Sequence, residues 1–132
     1  MIFLDERVVV FLHDHALAQH GGLPGIRDEN LLRSALDRPR HLAHYRPGSD
    51  IFAFAAAYAF GISRNHSFND GNKRTAWAVC VTFLRLHEIE IDARVSNETR
   101  VLAMLSLAEG TLSEEKFAEW LRTASQQKIS DA

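Results

Sequence analysis

A single cysteine, Cys80, leaves this chain of 132 residues without an internal disulfide. It stands inside an apolar helical stretch with nothing nearby to lower its pKa, so it reads as a buried, unreactive thiol in a reducing compartment. An excess of either charge is also missing. Lys+Arg 15 against Asp+Glu 17 gives a net charge of -2, which excludes a general affinity for nucleic acid or an anionic membrane. A local cluster can still bind a nucleotide or a protein. No uncharged apolar run approaches the roughly 20 residues that a membrane-spanning helix needs; the longest covers Ile51 to Ile62. The opening "MIFLDERVVVFLHDH" carries charges where a signal peptide requires a clean apolar run, so the expected location is cytoplasmic. Internal repeats, linkers and low-complexity tracts are absent. What is left is the composition of one ordinary globular domain, long enough to bury its own core.

Apolar spacing reads as helix nearly everywhere. Val8, Phe11, Leu12 and Ala16 mark the inner face of a first helix, which "HGGLPGI" terminates through Gly21 or Gly22 and Pro24. Asp28 is a suitable N-cap for a second helix with Leu31, Leu32, Ala35 and Leu36 on its inner face. Pro39 is expected to close it, leaving "PRHLAHYRPGSD" as a long polar connection with room for a single turn around Leu42 to Tyr45. Ile51 to Ser63 and Ala76 to Leu84 are apolar on all sides, the mark of helices at the centre of a domain. "EIEIDA" alternates and predicts one short extended piece. Ser96 or Asn97 caps the next helix, with Val101, Leu105 and Ala108 inward and Gly110 at its end. Ser113 starts the last, with Phe117, Trp120, Leu121 and Ala124 inward. The expected architecture is one compact all-α domain of about six helices over residues 1–125, with residues 126–132 as a frayed tail.

Between the two apolar helices lies "HSFNDGNKR", residues 66–74, far more polar than a connector requires. Asn69 and Asp70 are both good N-caps, and Gly71 permits a tight turn into a helix starting near Asn72. The first N–H groups of such a helix, with its dipole, form an anion site. Lys73 and Arg74 fall in that first turn, where cations are disfavoured unless an anion binds there. Phosphate suits the set: Arg74 can grip it with a bidentate fork, Lys73 adds a point charge, and Asn72 offers an amide donor. Asp70 can hold a Mg²⁺ that bridges phosphate oxygens. His66 has the proton affinity to deprotonate an alcohol near neutral pH. Phe68 is expected to point into the core and pin the loop. A base, a metal carboxylate and an anion hole together are what phosphoryl or nucleotidyl transfer requires. No strand–glycine-loop–Lys arrangement of the Walker type is present.

The same nine residues resemble the Fic/Doc signature H-x-F-x-(D/E)-G-N-(G/K)-R at every fixed position. Upstream, "FLHDHALAQHGGLPGIRDENLLRSAL" is similar to the death-on-curing (Doc) branch, so the likeness runs over roughly residues 10 to 90. The resemblance implies transfer of part of a nucleotide to a protein hydroxyl, with ATP as co-substrate and Mg²⁺ as cofactor. The implied catalytic set is His66, Asp70, Lys73 and Arg74. Asn69, Gly71, Asn72, Lys73 and Arg74 would bind phosphates, Asp70 the metal, and Phe68 would anchor the loop.

Two positions separate this chain from the AMP-transferring Fic enzymes it resembles. Lys73 stands where those have a second Gly, and Trp77 where they have a second Arg. Doc toxins share the N-K-R form, which implies presentation of the γ-phosphate and phosphorylation of a protein, with translation elongation factor Tu as the family's target. Gly71 matches the general Fic pattern, where some Doc members have Ala. AMP transfer is the alternative, and a catalytically idle module that binds an antitoxin and tunes operator affinity is a third reading. The self-inhibitory motif (S/T)-x-x-x-E-(G/N) is absent: "SLAEG", Ser106 to Gly110, is one residue short. By resemblance the inhibitor is instead a separate antitoxin of the Phd type, whose disordered tail folds onto the toxin. DNA contact then belongs to the antitoxin and not to this chain.

Other polar residues read as structural or peripheral. His13 and His15 point apart on a helix and cannot share an ion, so His13–Asp14 reads as polar contact near the loop. His41, His44 and Tyr45 fall in the expected connection, as a rim of the target groove or as solvated groups. Arg64 and Asn65 border His66 as candidates for substrate contact. Trp77 and Trp120 read as core.

Overall fold

The computed structural model describes residues 1–127 and contains six helices. They are α1 (Glu6–His20), α2 (Glu29–Tyr45), α3 (Ile51–Asn65), α4 (Asn72–Leu86), α5 (Asn97–Glu109) and α6 (Glu114–Ala124). The all-α expectation holds. Two short strands, β1 (Ile89–Ile91) and β2 (Ser125–Gln127), add an antiparallel ribbon in which Ile91 faces Ser125 and Ile89 faces Gln127. The extended piece at "EIEIDA" is therefore present. Its partner lies in the tail expected to fray from residue 126, which pairs through Gln127 instead; residues 128–132 lie outside the described residues.

Five helices start on a side-chain cap. Asp5, Asp28, Asp50, Ser96 and Ser113 each accept a hydrogen bond from a backbone N–H two or three residues on. Gly110, at φ 89, closes α5 in the left-handed conformation that a residue without Cβ adopts freely. The cap on α3 has a second function. The Asp50 carboxylate also holds the Arg122 guanidinium, Nε to Oδ2 at 2.7 Å and Nη2 to Oδ1 at 3.1 Å, tying α6 to the start of α3.

This pairing makes a pH prediction. The Arg122 guanidinium, and then the Ala53 N–H, hold the Asp50 carboxyl below the usual carboxylate range. A depressed folded pKa stabilises the fold above the unfolded value near 3.9, and that contribution disappears as pH falls through the lower folded value. Asp50→Asn keeps a capping oxygen and removes the charge. Urea melts should show the variant less stable by up to about 1 kcal/mol near neutrality, since both partners are about half exposed. The gap should close below about pH 4; a gap that stays constant on acidification would exclude the ion pair as its source.

The centre of the fold is α3, which packs on α4, α2 and α6, while α1 lies on α4. Residues Phe54 to Ser63 of α3 are buried apart from Phe60. Close approach to α2 depends on Gly61: a Cβ there would sit 3.1 Å from the Ala35 Cα. The expected stop at Pro39 does not occur. Pro39 is buried inside α2, which runs six residues further to Tyr45. The N–H that proline lacks would have met the Ala35 carbonyl, and that carbonyl faces Gly61 at the helix crossing. Burial of Leu32, Ala35, Leu36 and Pro39 against α3 outweighs the cost of about 3 kcal/mol for a proline within a helix. His41, His44 and Tyr45 consequently belong to a helix, and the connection shrinks to residues 46–50.

Two inner faces also differ from expectation. On α1 the buried positions are Val9, His13 and Ala16, while Phe11 is 66% exposed. The face is turned by roughly a quarter turn from the apolar stripe. On α5 the buried positions are Ala103, Met104 and Leu107, while Val101 and Leu102 are exposed. In both helices tertiary contacts override the simplest apolar stripe, and on α5 the displaced Val101 lines the cleft described below. Cys80 is fully buried on α4, and burial pushes its thiol far up, as an unreactive sulfur requires. None of the described helices is long and apolar enough to cross a membrane.

Candidate active site

The loop between α3 and α4, residues 66–71, turns the chain twice through the left-handed region. His66 terminates α3 at φ 51, ψ 48, and Gly71 precedes α4 at φ 75, ψ 20. A left-handed residue with a Cβ costs about 1–2 kcal/mol, although histidine tolerates it better than most. That cost is met here by contacts along the whole loop. Residues 25–28 run antiparallel to it: the Arg27 and Asp28 N–H groups donate to the Ser67 carbonyl at 2.7 and 3.1 Å. The Asn69 N–H donates to Gly25 at 3.1 Å, and Ile26 and Phe68 form a bridge.

Phe68 is 1% exposed, and its ring stacks on the buried His13 ring at 3.8 Å between centroids. His13 donates from Nε2 to the Asp70 carbonyl at 2.8 Å. This explains a buried histidine on α1: it is the polar contact that holds the far end of the loop. It also explains a local anomaly. Asp70 O is the acceptor that Arg74 N–H would use if α4 began one residue earlier, but it is taken by His13.

Helix α4 thus begins at Gly71 without a side-chain cap, unlike the other five. The expected caps are otherwise engaged. Asn69 donates from Nδ2 to the Pro24 carbonyl at 3.0 Å. The Asp70 carboxylate accepts from Gly71 N–H at 3.0 Å and Leu23 N–H at 3.3 Å. Both capping assignments are corrected: each side chain folds back onto the adjoining loop. The result is that N–H groups of Asn72, Lys73 and Arg74 have no protein acceptor among the described residues. Three free donors at the positive end of a helix form an anion cradle. Lys73 and Arg74 are exposed beside it, and neither has an ion-pair partner among the described residues.

Asn72 is placed differently from the expectation of an amide donor to phosphate. Its Oδ1 accepts from Phe68 N–H and its Nδ2 donates to Phe68 C=O, both at 3.0 Å. The side chain clamps the loop, and only the backbone N–H of Asn72 is offered to a ligand. Arg64 and Asn65 also stand apart from the site. The Arg64 guanidinium lies over the Phe60 ring at 5.3 Å, and Asn65 donates to the Leu31 carbonyl at 2.9 Å.

The loop opens on a cleft of about 850 Å³ that gathers His66, Asn69, Asp70, Gly71, Asn72, Lys73 and Arg74 along one rim. Every residue expected to serve catalysis or phosphate binding is therefore at this cleft, while Arg64 and Asn65 are not, and Phe68 is buried in the core. The opposite walls were not anticipated. Helix α1 contributes Leu12, His15, Ala16, Gln19 and His20, and α5 contributes Asn97, Arg100, Val101, Met104 and Leu105. Trp77, expected in the core, is half-buried and forms part of the floor. Arg100 faces the cleft with its guanidinium already bonded to Val95 and Asp92 carbonyls. The site is thus a polar, cationic rim over an apolar floor, a shape suited to a phosphorylated ligand with a flat, partly apolar body.

The chain is 32% identical to protein kinase doc of Escherichia phage P1 over 91 residues, which cover 69% of this chain and 72% of that protein. It is 39% identical to toxin Doc of Mycolicibacterium smegmatis over 77 residues, 55% of this chain and 57% of that protein. The Fic/DOC family profile matches residues 3–84, a span that runs from the N-terminal segment through both loop-flanking helices. The motif, the helical frame and the profile match have one common explanation: the chain belongs to the Fic/Doc family.

Proposed function

We propose that this chain is a Doc-type toxin that transfers the γ-phosphate of ATP to a hydroxyl of a protein, with translation elongation factor Tu as the target by family resemblance. The observation that carries the reading is one rim holding His66, the free N–H groups of residues 72–74, Lys73 and Arg74. In this reading the N–H groups and Arg74 grip the phosphates, and Lys73 neutralises charge that develops on them. His66 takes the proton of the incoming hydroxyl, whose oxygen bonds to the γ-phosphorus as the bond to the bridging oxygen breaks and ADP leaves. Lys73 beside the cradle, and Trp77 in the floor where AMP-transferring enzymes have an Arg, favour γ- over α-phosphate transfer.

Asp70 fits a role as Mg²⁺ ligand. Its carboxylate is exposed at the cleft and spends one lone pair on each of two N–H groups, so others are left. No cluster of three or more His, Cys, Asp or Glu that could hold a metal occurs among the described residues, so phosphates and water would have to supply the rest of the coordination. That is how magnesium is usually held at nucleotide sites. When bound, it would offset phosphate charge.

A toxin of this kind requires an inhibitor. The absence of a self-inhibitory motif, and a relative named as a toxin, favour a separate antitoxin of the Phd type with a tail that folds on binding. The deciding experiment incubates the chain and elongation factor Tu with ATP labelled at the α- or the γ-phosphate, alongside His66→Ala. Label from γ that depends on His66 is expected. Label from α would replace kinase by AMP transfer. No His66-dependent label in either sample would sink both and leave the idle antitoxin-binding module.

A further inference from the structure

We propose that Arg27 is a positioning residue that sets the catalytic geometry of His66; the proposal deepens the transfer reading above and rests on it. Arg27 lies on the 25–28 segment, exposed, and no carboxylate pairs with it among the described residues. Its guanidinium is spent on backbone instead. Nε donates to the His66 carbonyl at 2.7 Å and Nη2 to the Asn65 carbonyl at 3.3 Å. Its own N–H donates to the Ser67 carbonyl at 2.7 Å. One arginine therefore grips three consecutive carbonyls with His66 in the middle.

These carbonyls need a partner. Asn65 ends α3 and His66 is its C-cap, where the helix has run out of N–H donors and the dipole is negative. A guanidinium is the side chain that can serve both acceptors with one rigid fork. The hydrogen bond matters most at His66, because its left-handed φ of 51 is a conformation that a residue with a Cβ abandons once unsupported. If φ and ψ at residue 66 relax, the Cα–Cβ vector swings and carries the imidazole off the cleft rim.

The side chain's task is separable from the fold. The bonds from Arg27 N–H and Asp28 N–H to Ser67, and from Asn69 N–H to Gly25, are backbone bonds that any residue at position 27 preserves. Substitution of the side chain removes only the two bonds at Asn65 and His66. The strap should stay in place while the residue carrying the base loses its brace.

The test compares wild type with Arg27→Ala and Arg27→Lys by two readouts. One is His66-dependent phosphoryl transfer from ATP to the target. The other is the NMR backbone shifts and N–H/Hα coupling of residue 66, which report its φ without any activity. Arg27→Ala should lower kcat by about 10- to 100-fold, the scale set by an ångström of misplacement. KM for ATP should stay within about twofold, because the anion cradle is not touched. The residue 66 signals should leave the left-handed range, with an unchanged Tm. Arg27→Lys, which keeps the charge but loses the fork, should fall between the two. Unchanged residue 66 signals in Arg27→Ala would overturn the brace, and moved signals with unchanged kcat would overturn its catalytic part. If wild type itself transfers no phosphate, the transfer reading fails on its own, and the NMR arm still decides whether Arg27 sets the conformation at His66.

Discussion

Replacing His66 should reduce phosphoryl transfer by about 10²- to 10⁴-fold, the usual contribution of a positioned general base. The loss should appear in kcat, because the groups proposed to bind phosphate lie on a different element, the first turn of α4. His66→Ala confounds two effects, since alanine is strained at φ 51. His66→Asn separates them: asparagine accepts the left-handed conformation but cannot take a proton at neutral pH. Both variants should be inactive, and His66→Asn should keep the wild-type stability within about 0.5 kcal/mol, since the side chain is exposed. Substantial turnover by His66→Asn would mean that another group removes the proton. His15 and His20, on the α1 wall of the same cleft, are the groups to examine then.

Phe68→Ala should have the largest effect on stability, about 3–5 kcal/mol, as for other buried aromatic truncations. Packing is only part of the reason. The Phe68 ring stacks on His13, His13 holds the Asp70 carbonyl, and the two side-chain atoms of Asn72 hold the Phe68 backbone. Loss of the ring loosens both ends of the loop, so transfer should fall along with stability. Urea denaturation would show a lower midpoint at an unchanged m-value. A cost under about 1 kcal/mol would mean that the loop is held by its backbone bonds to residues 25–28 and not by the core. Phe68→Tyr is the informative companion: it keeps the ring for His13 but brings a hydroxyl that must find a partner.

The candidate active-site loop was legible because its residues are contiguous. Nine positions carry base, carboxylate, glycine and cations in fixed order, between helices whose lack of a polar face marks them as central. Asp28, Ser96, Ser113 and Gly110 were legible for a similar reason, since a cap acts over three or four residues. Pro39 was misleading because local propensity says nothing about what a helix gains by burial against α3. Val8 and Phe11 were misleading because α1 buries His13, a residue that looks polar until its acceptor in the loop between α3 and α4 is known.

The same division holds for the site. The sequence by itself determined the all-α class, the motif and the chemical types at the cleft's rim, all of which depend on short-range order. Tertiary structure alone decided how they are used. It turned Asn69 and Asp70 away from capping α4, freed three N–H groups, and set Asn72 to clamp Phe68. It also brought α1 and α5 to the cleft and laid Arg27 across carbonyls 38 and 39 positions away. A hydrogen bond closing that much chain leaves no periodic trace, because its energy depends on where the backbone lies and not on which residues are neighbours in order.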